Sequence, residues 1–362
     1  MIIYFLVFLV LVFIGFFKTQ FSLKSEMVLP IVGGMLIFFA AFRGADVDRD
    51  YQNYLDSFSQ FLNPADYFLH TEDWFFFEPF FYLIPSVCKY IGLPNYPLFV
   101  FFIFSFLAVV INLVNIKRLS TFPILSIVVW FGFYFLLHEL TQIRAAVASG
   151  LMLLCVYHHF HKDYFKFGLF FLLAIMFHYS ALLILPILFF NPQTFSKYAS
   201  LLVLGLALIL GLLHSDVFLQ PIFLINASFV KKLTVTLQAM NEDENTINLL
   251  NPMFLSQVII SGWLFIHHEF IKEQNKYAYL LLKLQLLSIF CLCAFSSIAF
   301  VAYRISEFYG VVSIFTIPFL VYTFKQKMYG YIAVVSYSLF MLMLTVIAAK
   351  LVGPYKLIFF NG

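Results

Sequence analysis

The sequence predicts an all-α polytopic membrane protein. Of its 362 residues, 63% are hydrophobic and only 11% are charged, and the mean hydropathy is +0.96. A chain of this composition lacks the polar surface that a soluble globule needs. Its apolar residues fall into eleven stretches close to the length of a membrane-spanning helix, about 20 residues. We therefore expect about 11–12 transmembrane helices.

The apolar stretches follow one another along the whole chain, without an internal repeat or a low-complexity linker. In order, they cover residues 1–17, 27–42, 96–116, 121–137, 145–160, 165–190, 199–213, 254–268, 278–301, 306–323 and 329–349. The first lacks a basic segment before it and a small-residue cleavage pattern, so it is interpreted as a retained span. We expect residues 1–362 to form a single integral membrane domain.

The distribution of charge orients these helices. Basic residues accumulate in cytoplasmic loops, so Lys18 and Lys24 place the first loop inside and the next loop, 43–95, outside. This outer loop carries eight carboxylates. Its apolar piece, 79–92, is broken by two prolines and is interpreted as a half-helix at the outer interface.

The 26-residue apolar run at 165–190 allows two topologies. A single crossing would place every later basic loop outside, against the usual charge distribution. A break at His178-Tyr179-Ser180 into two short helices places those loops inside. We predict the broken form, which gives twelve crossings and a second large outer loop at 214–252.

Four of the five arginines, Arg43, Arg49, Arg144 and Arg304, fall on the predicted outer side. Arginines that anchor a helix normally lie on the cytoplasmic side, so these four are expected to serve another purpose. A planar guanidinium is suited to binding an anion such as a diphosphate. The net charge of +3 is too balanced to suggest a nucleic-acid partner.

Charged and aromatic residues are most concentrated at the outer end of the second apolar stretch. The residues of interest there are Arg43, Asp46, Asp48, Arg49, Asp50, Tyr51 and Tyr54. Carboxylates orient hydroxyl groups, act as general bases or hold a divalent ion, and tyrosine rings stack on sugars. A solvated acidic loop is the alternative interpretation, but the crowding favours a sugar-binding site.

This segment resembles the opening signature of the EpsG family of Wzy-type polysaccharide polymerases. The resembling pieces are Arg43-Gly44, Asp50-Tyr51, Asn53-Tyr54, Glu78-Pro79, Arg144 with the small residues after it, Phe177-His178-Tyr179-Ser180-Ala181, Arg304 with Phe308-Tyr309, and Pro354-Tyr355-Lys356. Two departures stand out. Asp48-Arg49 occupies the place of a frequent Gly-Thr pair, and Gln142 precedes Arg144, where the family often has a glutamine after the arginine.

The resemblance implies glycosyl transfer between lipid-linked oligosaccharides at the outer face of a bacterial inner membrane. The donor is carried on undecaprenyl diphosphate, and a hydroxyl of another lipid-linked repeat unit attacks its anomeric carbon. The implied partners are these lipid-linked oligosaccharides, the bilayer and a chain-length regulator. No cofactor and no metal are implied.

The resemblance and the chemistry together suggest roles for individual residues. Arg144 and Arg304, at predicted outer helix ends, are the candidates for stabilising the leaving diphosphate. The general base is open among Asp46, Asp48, Asp50, Glu78 and His178; His178 is an ionisable group inside an apolar run. The predicted catalytic residues are Arg144, Arg304, Asp50, Asp48 and His178, and the predicted substrate-binding residues are Arg43, Asp46, Arg49, Tyr51, Tyr54, Glu78, Gln142 and Tyr309.

Two other functions are compatible with the sequence. One is a GT-C glycosyltransferase with a lipid-phosphate sugar donor, because Asp46-Val47-Asp48 resembles the carboxylate pattern that such enzymes use, often with a divalent metal. A GT-C-like bundle is one arrangement of the helices that is compatible with the sequence. The other is a transporter or flippase for the lipid-linked glycan. Against transport, the sequence shows no inverted repeat, and its charge is concentrated on one face.

Overall fold

The computed structural model describes residues 1–21, 24–61, 63–69, 77–213 and 247–360, and these residues are mostly helical. In chain order the α-helices are α1 (Ile2–Gln20), α2 (Ser25–Ala41), α3 (Tyr51–Gln60), α4 (Asp66–Leu69), α5 (Pro79–Tyr90), α6 (Tyr96–Leu119), α7 (Pro123–Gly132), α8 (Ile143–Phe160), α9 (Tyr164–Phe177), α10 (Lys197–Leu212), α11 (Pro252–Ile266), α12 (His268–Gln274), α13 (Ala278–Ala294), α14 (Ala299–Gly310), α15 (Ser313–Thr316), α16 (Leu320–Thr323) and α17 (Lys327–Met343). The described residues include isolated β-bridges but no strand. The predicted all-α membrane fold is confirmed.

Among the described residues, three helical segments are long and apolar enough to cross a membrane: α6, α8, and Lys327–Ala348, which combines α17 with a π-helix. The number rises to six if each of three bent helix pairs is a single span, and six further apolar helices are shorter. Every apolar stretch predicted from the sequence coincides with one of these elements. The number of crossings stays a prediction.

The helices form two compact units. The first contains Met1–Leu188 and Leu320–Gly362, and the second contains Phe189–Phe319. The single membrane domain over residues 1–362 stays a prediction.

Helix α8 lies at the centre of the first unit and packs against α6 and α9. Its first turns carry Ala145, Ala146, Ala148 and Gly150, all buried. A Cβ atom on Gly150 would come within 2.9 Å of the Ile111 side chain, so this glycine permits the close approach of α6. Small residues at such an interface allow helix backbones to pack tightly.

Two irregular segments interrupt the helices of this unit. A π-helix, Phe135–Thr141, follows α7 at an angle of 67° and runs directly into α8 through Gln142. Helix α9 ends at Phe177, His178 is extended, and a 3₁₀-helix continues over Tyr179–Phe189. The helix break predicted at His178 is confirmed.

A segment near the end of the chain, residues 352–358, pairs with the segment that follows α2. We call it the C-terminal strap. Backbone bridges join Arg43 to Leu357 and Asp48 to Val352, and the Gly353 N–H donates to the Val47 carbonyl at 2.8 Å. The strap therefore fixes the segment that contains the predicted acidic cluster.

Aromatic contacts extend this attachment to helices α1 and α2. The Tyr355 ring stacks on Phe39 with 4.1 Å between centroids, and its hydroxyl donates to the Phe39 carbonyl at 2.8 Å. The Tyr4 hydroxyl donates to the Gly353 carbonyl at 2.9 Å. The strap is thus bound by α1, α2 and the acidic segment together.

Candidate functional site

The first half of the acidic segment is organised by an ion pair between Arg43 and Asp48. The Arg43 Nε lies 2.6 Å from the Asp48 Oδ2, and both side chains are fully buried. Arg43 Nη1 also donates to the Ala40 carbonyl at 2.7 Å, and the guanidinium lies 4.8 Å from the Phe101 ring centroid. Burial raises the pKa of Asp48, although the charge and hydrogen bond of Arg43 act in the opposite direction.

The two predicted sugar-stacking tyrosines are buried on helix α3. Tyr51 stacks on Phe101 with 4.7 Å between ring centroids. The Tyr54 hydroxyl donates to the carbonyl of Thr141 at 2.9 Å, which connects α3 to the π-helix. In this structure their rings pack inside the protein, and a sugar contact would require them to be uncovered.

Glu78 lies at the centre of a second charged group, 4% exposed. Its Oε2 accepts from Arg144 Nη1 at 2.7 Å, and its Oε1 lies 2.8 Å from His178 Nδ1. Glu78, Arg144 and His178 are called the Glu78 cluster below. All three residues are candidates from the sequence, but their contact with one another is not predictable from it.

Three separate elements position the Glu78 cluster. Glu78 is the residue before α5, where Pro79 supplies the fixed φ angle that suits the first helical turn. Arg144 lies in the first turn of α8 and is partly exposed, at 29% of its side-chain area. His178 occupies the break after α9. The start of α5, the start of α8 and the break after α9 therefore meet at one carboxylate.

The electrostatics of the cluster keep Glu78 ionised. Burial alone would raise its pKa, but the hydrogen bond from His178 and the charge of Arg144 outweigh burial and lower the pKa of Glu78 to about 2. The Arg144 guanidinium also lies 4.3 Å from the Phe81 ring centroid and interacts with the side chain of Tyr54. Arg144 is thus held in place while part of its side chain stays exposed.

His178 has a second polar neighbour in Ser180. The Ser180 hydroxyl lies 3.2 Å from His178 Nε2, on the opposite side of the ring from Glu78. The neighbouring Tyr179 hydroxyl donates to the Phe77 carbonyl at 3.3 Å, which ties the break to the residue before Glu78. The sequence analysis gave Ser180 no role, although it lies in the same motif as His178.

The other predicted site residues of the first unit lie outside the Glu78 cluster. Asp46 is exposed and pairs with Lys356 of the strap at 3.3 Å. Arg49 is exposed. Asp50 precedes α3 and donates its backbone N–H to Asp48 at 2.9 Å. Gln142 is partly buried at the start of α8.

Arg304 and Tyr309 belong to the second unit. Helix α14 begins at Ala299, so Arg304 lies in its second turn and not at the helix end that the sequence suggested. Its guanidinium lies 5.3 Å from the Phe300 ring centroid, and within the described residues it makes no ion pair. Tyr309 is buried.

The described residues contain no group of three or more histidine, cysteine or carboxylate side chains placed to hold a metal ion. The carboxylates of Asp46 and Asp48, which suggested a GT-C enzyme, lie in different surroundings: Asp46 is exposed beside Lys356, and Asp48 is buried against Arg43. Part of the predicted outer loops, including Glu72, Asp73 and most of 214–252, lies outside the described residues.

Comparison with known proteins identifies a family. The family model described as EpsG matches residues 26–357, nearly the whole chain. No curated protein and no solved structure matches. The match covers the acidic segment, the Glu78 cluster, Arg304 and most of the strap.

Proposed function

Because the chain belongs to the EpsG family, whose members are Wzy-type polysaccharide polymerases, we propose that it polymerises oligosaccharide repeat units carried on undecaprenyl diphosphate. The reaction takes place at the extracytoplasmic face of the bacterial inner membrane. The family supports a location in a membrane and a polysaccharide polymerase activity. To these we add the lipid diphosphate, the repeat unit and the membrane face.

One observation supports the diphosphate most directly: a partly exposed arginine in the first turn of a helix. The start of a helix carries partial positive charge, so an arginine there stabilises no helix dipole and instead adds to a field that attracts anions. In the Glu78 cluster, a single carboxylate, that of Glu78, offsets the positive charge of Arg144 and the helix start. A diphosphate arriving at Arg144 would supply the second anion.

The chemistry needs this positive charge most as the glycosidic bond breaks. A hydroxyl of the acceptor forms a new C–O bond to the donor's anomeric carbon, and the bond between that carbon and the phosphate oxygen breaks. The bonding electrons leave with the diphosphate, so its negative charge grows in the transition state. A fixed cation at that oxygen lowers the barrier more than it strengthens substrate binding.

Arg144 fits this role better than Arg43. Arg43 is fully buried and paired with Asp48, so it is not exposed to a substrate at the membrane surface. Its place in the structure suits the other role considered for it, that of holding the acidic segment in shape. Arg49, exposed on the same segment, remains available for sugar contact.

The test is a reconstituted reaction. Purified protein in lipid vesicles is incubated with undecaprenyl-diphosphate repeat units, and the products are sized by gel electrophoresis and mass spectrometry. We expect a ladder of lengthened glycans on the lipid carrier. Unchanged single repeat units would refute the proposed function.

Two further measurements distinguish the proposed polymerase from a GT-C glycosyltransferase. Chelator added to the reaction should leave elongation unchanged, and a monophosphate-linked donor should not be used. Loss of activity with chelator, together with use of the monophosphate donor, would favour the GT-C reading instead.

A further inference from the structure

We infer that His178 is the general base of the transfer reaction and that Glu78 is the residue that positions it, with Nε2 facing the acceptor hydroxyl. This inference rests on the proposed function and deepens it. The sequence analysis left the base open among five residues and placed Glu78 with the substrate-binding residues.

The orientation of the imidazole follows from its contact with Glu78. An ionised carboxylate can only accept hydrogen bonds. With Nδ1 at 2.8 Å from Oε1, the proton of the neutral ring must therefore lie on Nδ1. Nε2 then carries the lone pair and can receive a proton.

The surroundings of Nε2 show that a hydroxyl fits there. The Ser180 hydroxyl lies 3.2 Å away and can donate to that lone pair. A sugar hydroxyl that displaced Ser180 would meet the same nitrogen at hydrogen-bonding distance, as a general base requires. His178 is itself only 14% exposed, which limits competition by water.

Glu78 also couples this base to the proposed diphosphate site. Its two carboxylate oxygens are divided, one for His178 at 2.8 Å and the other for Arg144 at 2.7 Å. The proposed base, His178, and the proposed cation, Arg144, thus both contact the side chain of Glu78. The attacking hydroxyl and the leaving group of a displacement reaction need such adjacent sites.

The carboxylates of the acidic segment are less suited to the role. Asp48 has no exposed side-chain area and is paired with Arg43. Asp46 is 73% exposed and faces Lys356. A base must be accessible to the substrate and shielded from bulk water. The side chain of His178 is 14% exposed, between fully buried Asp48 and highly exposed Asp46, and so meets both requirements better than either aspartate.

The proton and electron changes balance without a further reactant. The acceptor hydroxyl gives its proton to Nε2 as its oxygen bonds to the anomeric carbon. The bond from that carbon to the phosphate oxygen breaks, and the electron pair leaves on the diphosphate beside Arg144. The imidazolium that forms is stabilised by the negative charge of Glu78, as in other carboxylate–histidine pairs.

The pH dependence of the reaction is the clearest measure of this arrangement. Among the described residues, the titratable or charged groups around His178 are Glu78, then Arg144 behind it, Tyr179 on the same segment, and Tyr67 beside Tyr179. Glu78 forms an ion pair with the imidazole, with 2.8 Å between Oε1 and Nδ1. Removing its charge should therefore make the imidazolium less stable.

The main variant is Glu78→Gln, because a glutamine oxygen can still accept from Nδ1 while the negative charge is lost. We expect kcat to fall at least tenfold, the KM for the lipid-linked donor to change much less, and the acid limb of the pH–rate profile to move to lower pH. The matched control is Asp56→Asn, which removes an exposed carboxylate on α3 that accepts from Gln52. Its profile should equal that of the unmodified protein.

A second variant covers the case in which Glu78→Gln does not fold. His178→Asn should lower kcat by about a hundredfold or more, the usual contribution of a general base, and should abolish the acid limb. Donor binding, measured by retention of radiolabelled lipid-linked repeat units, should persist.

Two results would overturn the inference: an unshifted pH profile in Glu78→Gln, or near-normal kcat in His178→Asn. Either result in a protein that still elongates glycans leaves the proposed function intact. Failure of the unmodified protein to elongate them refutes the proposed function itself, so the two failures are distinguishable.

Discussion

Arg43 and Asp48, five residues apart, form an ion pair from which solvent is fully excluded, with 2.6 Å between Nε and Oδ2. Two features surround it: Phe101 lies against the guanidinium, and the strap bridges both residues through its backbone. Because two charges are costly to remove from water, each is stable here only in the presence of the other.

The first prediction concerns this pair. Arg43→Met should lower the free energy of unfolding by about 3–5 kcal/mol, because Asp48 is left as an uncompensated buried charge. The double variant Arg43→Met with Asp48→Leu should recover much of the loss. Thermal unfolding in detergent measures both.

The control for the first prediction is Lys117→Ala, which removes an exposed ion pair with Glu26. Exposed ion pairs contribute about 0–1 kcal/mol to the free energy of unfolding, so this variant should have nearly the same thermal stability as the unmodified protein. Equal effects of the two single substitutions would contradict the structural role of Arg43.

The second prediction concerns Arg144. Arg144→Ala should leave the protein inserted and folded but slow glycan elongation by at least about a hundredfold, the usual loss when one transition-state donor is removed. Arg144→Lys should restore only part of the rate, because an ammonium lacks the planar fork of a guanidinium. Single-turnover assays with lipid-linked repeat units give the rate, and Lys117→Ala again serves as control. Glycans of normal length from Arg144→Ala would rule out the diphosphate role.

The third prediction concerns Arg304, which the sequence suggests as a residue that stabilises the leaving diphosphate. Arg304→Ala should reduce elongation by about a hundredfold as well, with little change in thermal stability, since Phe300 is its principal contact among the described residues. Lys276→Ala, at an exposed lysine of the same unit, is the comparison. If the two variants elongate glycans equally well, Arg304 has no part in the reaction.

The fourth prediction is a pH dependence of stability. The pKa of Glu78 is lowered in the folded protein from 4.5 to about 2. An acid with a lowered pKa stabilises the fold above its unfolded pKa and loses that contribution as pH falls through the folded value. The contribution should therefore decline between about pH 4.5 and about pH 2.

Unfolding followed as a function of pH tests this sign. The decline should be smaller in Glu78→Gln than in the unmodified protein, and Asp56→Asn should behave as the unmodified protein does. An identical decline in all three proteins would show that Glu78 does not contribute.

The fifth prediction concerns the strap. A Cβ atom at Gly353 would come within 2.3 Å of the Asp46 carbonyl oxygen, which is backbone and cannot move aside cheaply. Gly353→Ala should therefore detach the strap, lower thermal stability and expose it to protease. Gly34→Ala is the matched control, because nothing lies within 4 Å of the added atom. Protection of the strap equal to that of the unmodified protein would contradict the contact.

Local features of the fold were predictable from sequence. Each apolar stretch became a helix or helix pair, because spacing and hydropathy are properties of neighbouring residues. The break at His178 was predictable for the same reason, since a polar group in an apolar run disfavours a continuous span. The position of Arg304 was less accurate, because the beginning of α14 carries no capping side chain that marks it.

The contacts within the site were harder to predict. Glu78 and His178 are 100 residues apart, and neither charge patterning nor helical periodicity relates such positions. The arginines predicted to lie on the outer side are indistinguishable in sequence, yet Arg43 is buried and Arg144 is partly exposed. The difference arises from Asp48, Phe101 and the strap, which close over the first and not the second.

The strap also sets an order of assembly. A ribosome delivers residues 43–48 to the membrane early, whereas their partners at 352–358 follow α17 and emerge hundreds of residues later. Until then the segment lacks the backbone partners and the Tyr355 contact that complete its enclosure. The pairing between the 43–48 segment and the strap can therefore form only after α17 has been synthesised, so the enclosure of Arg43 and Asp48 is completed late.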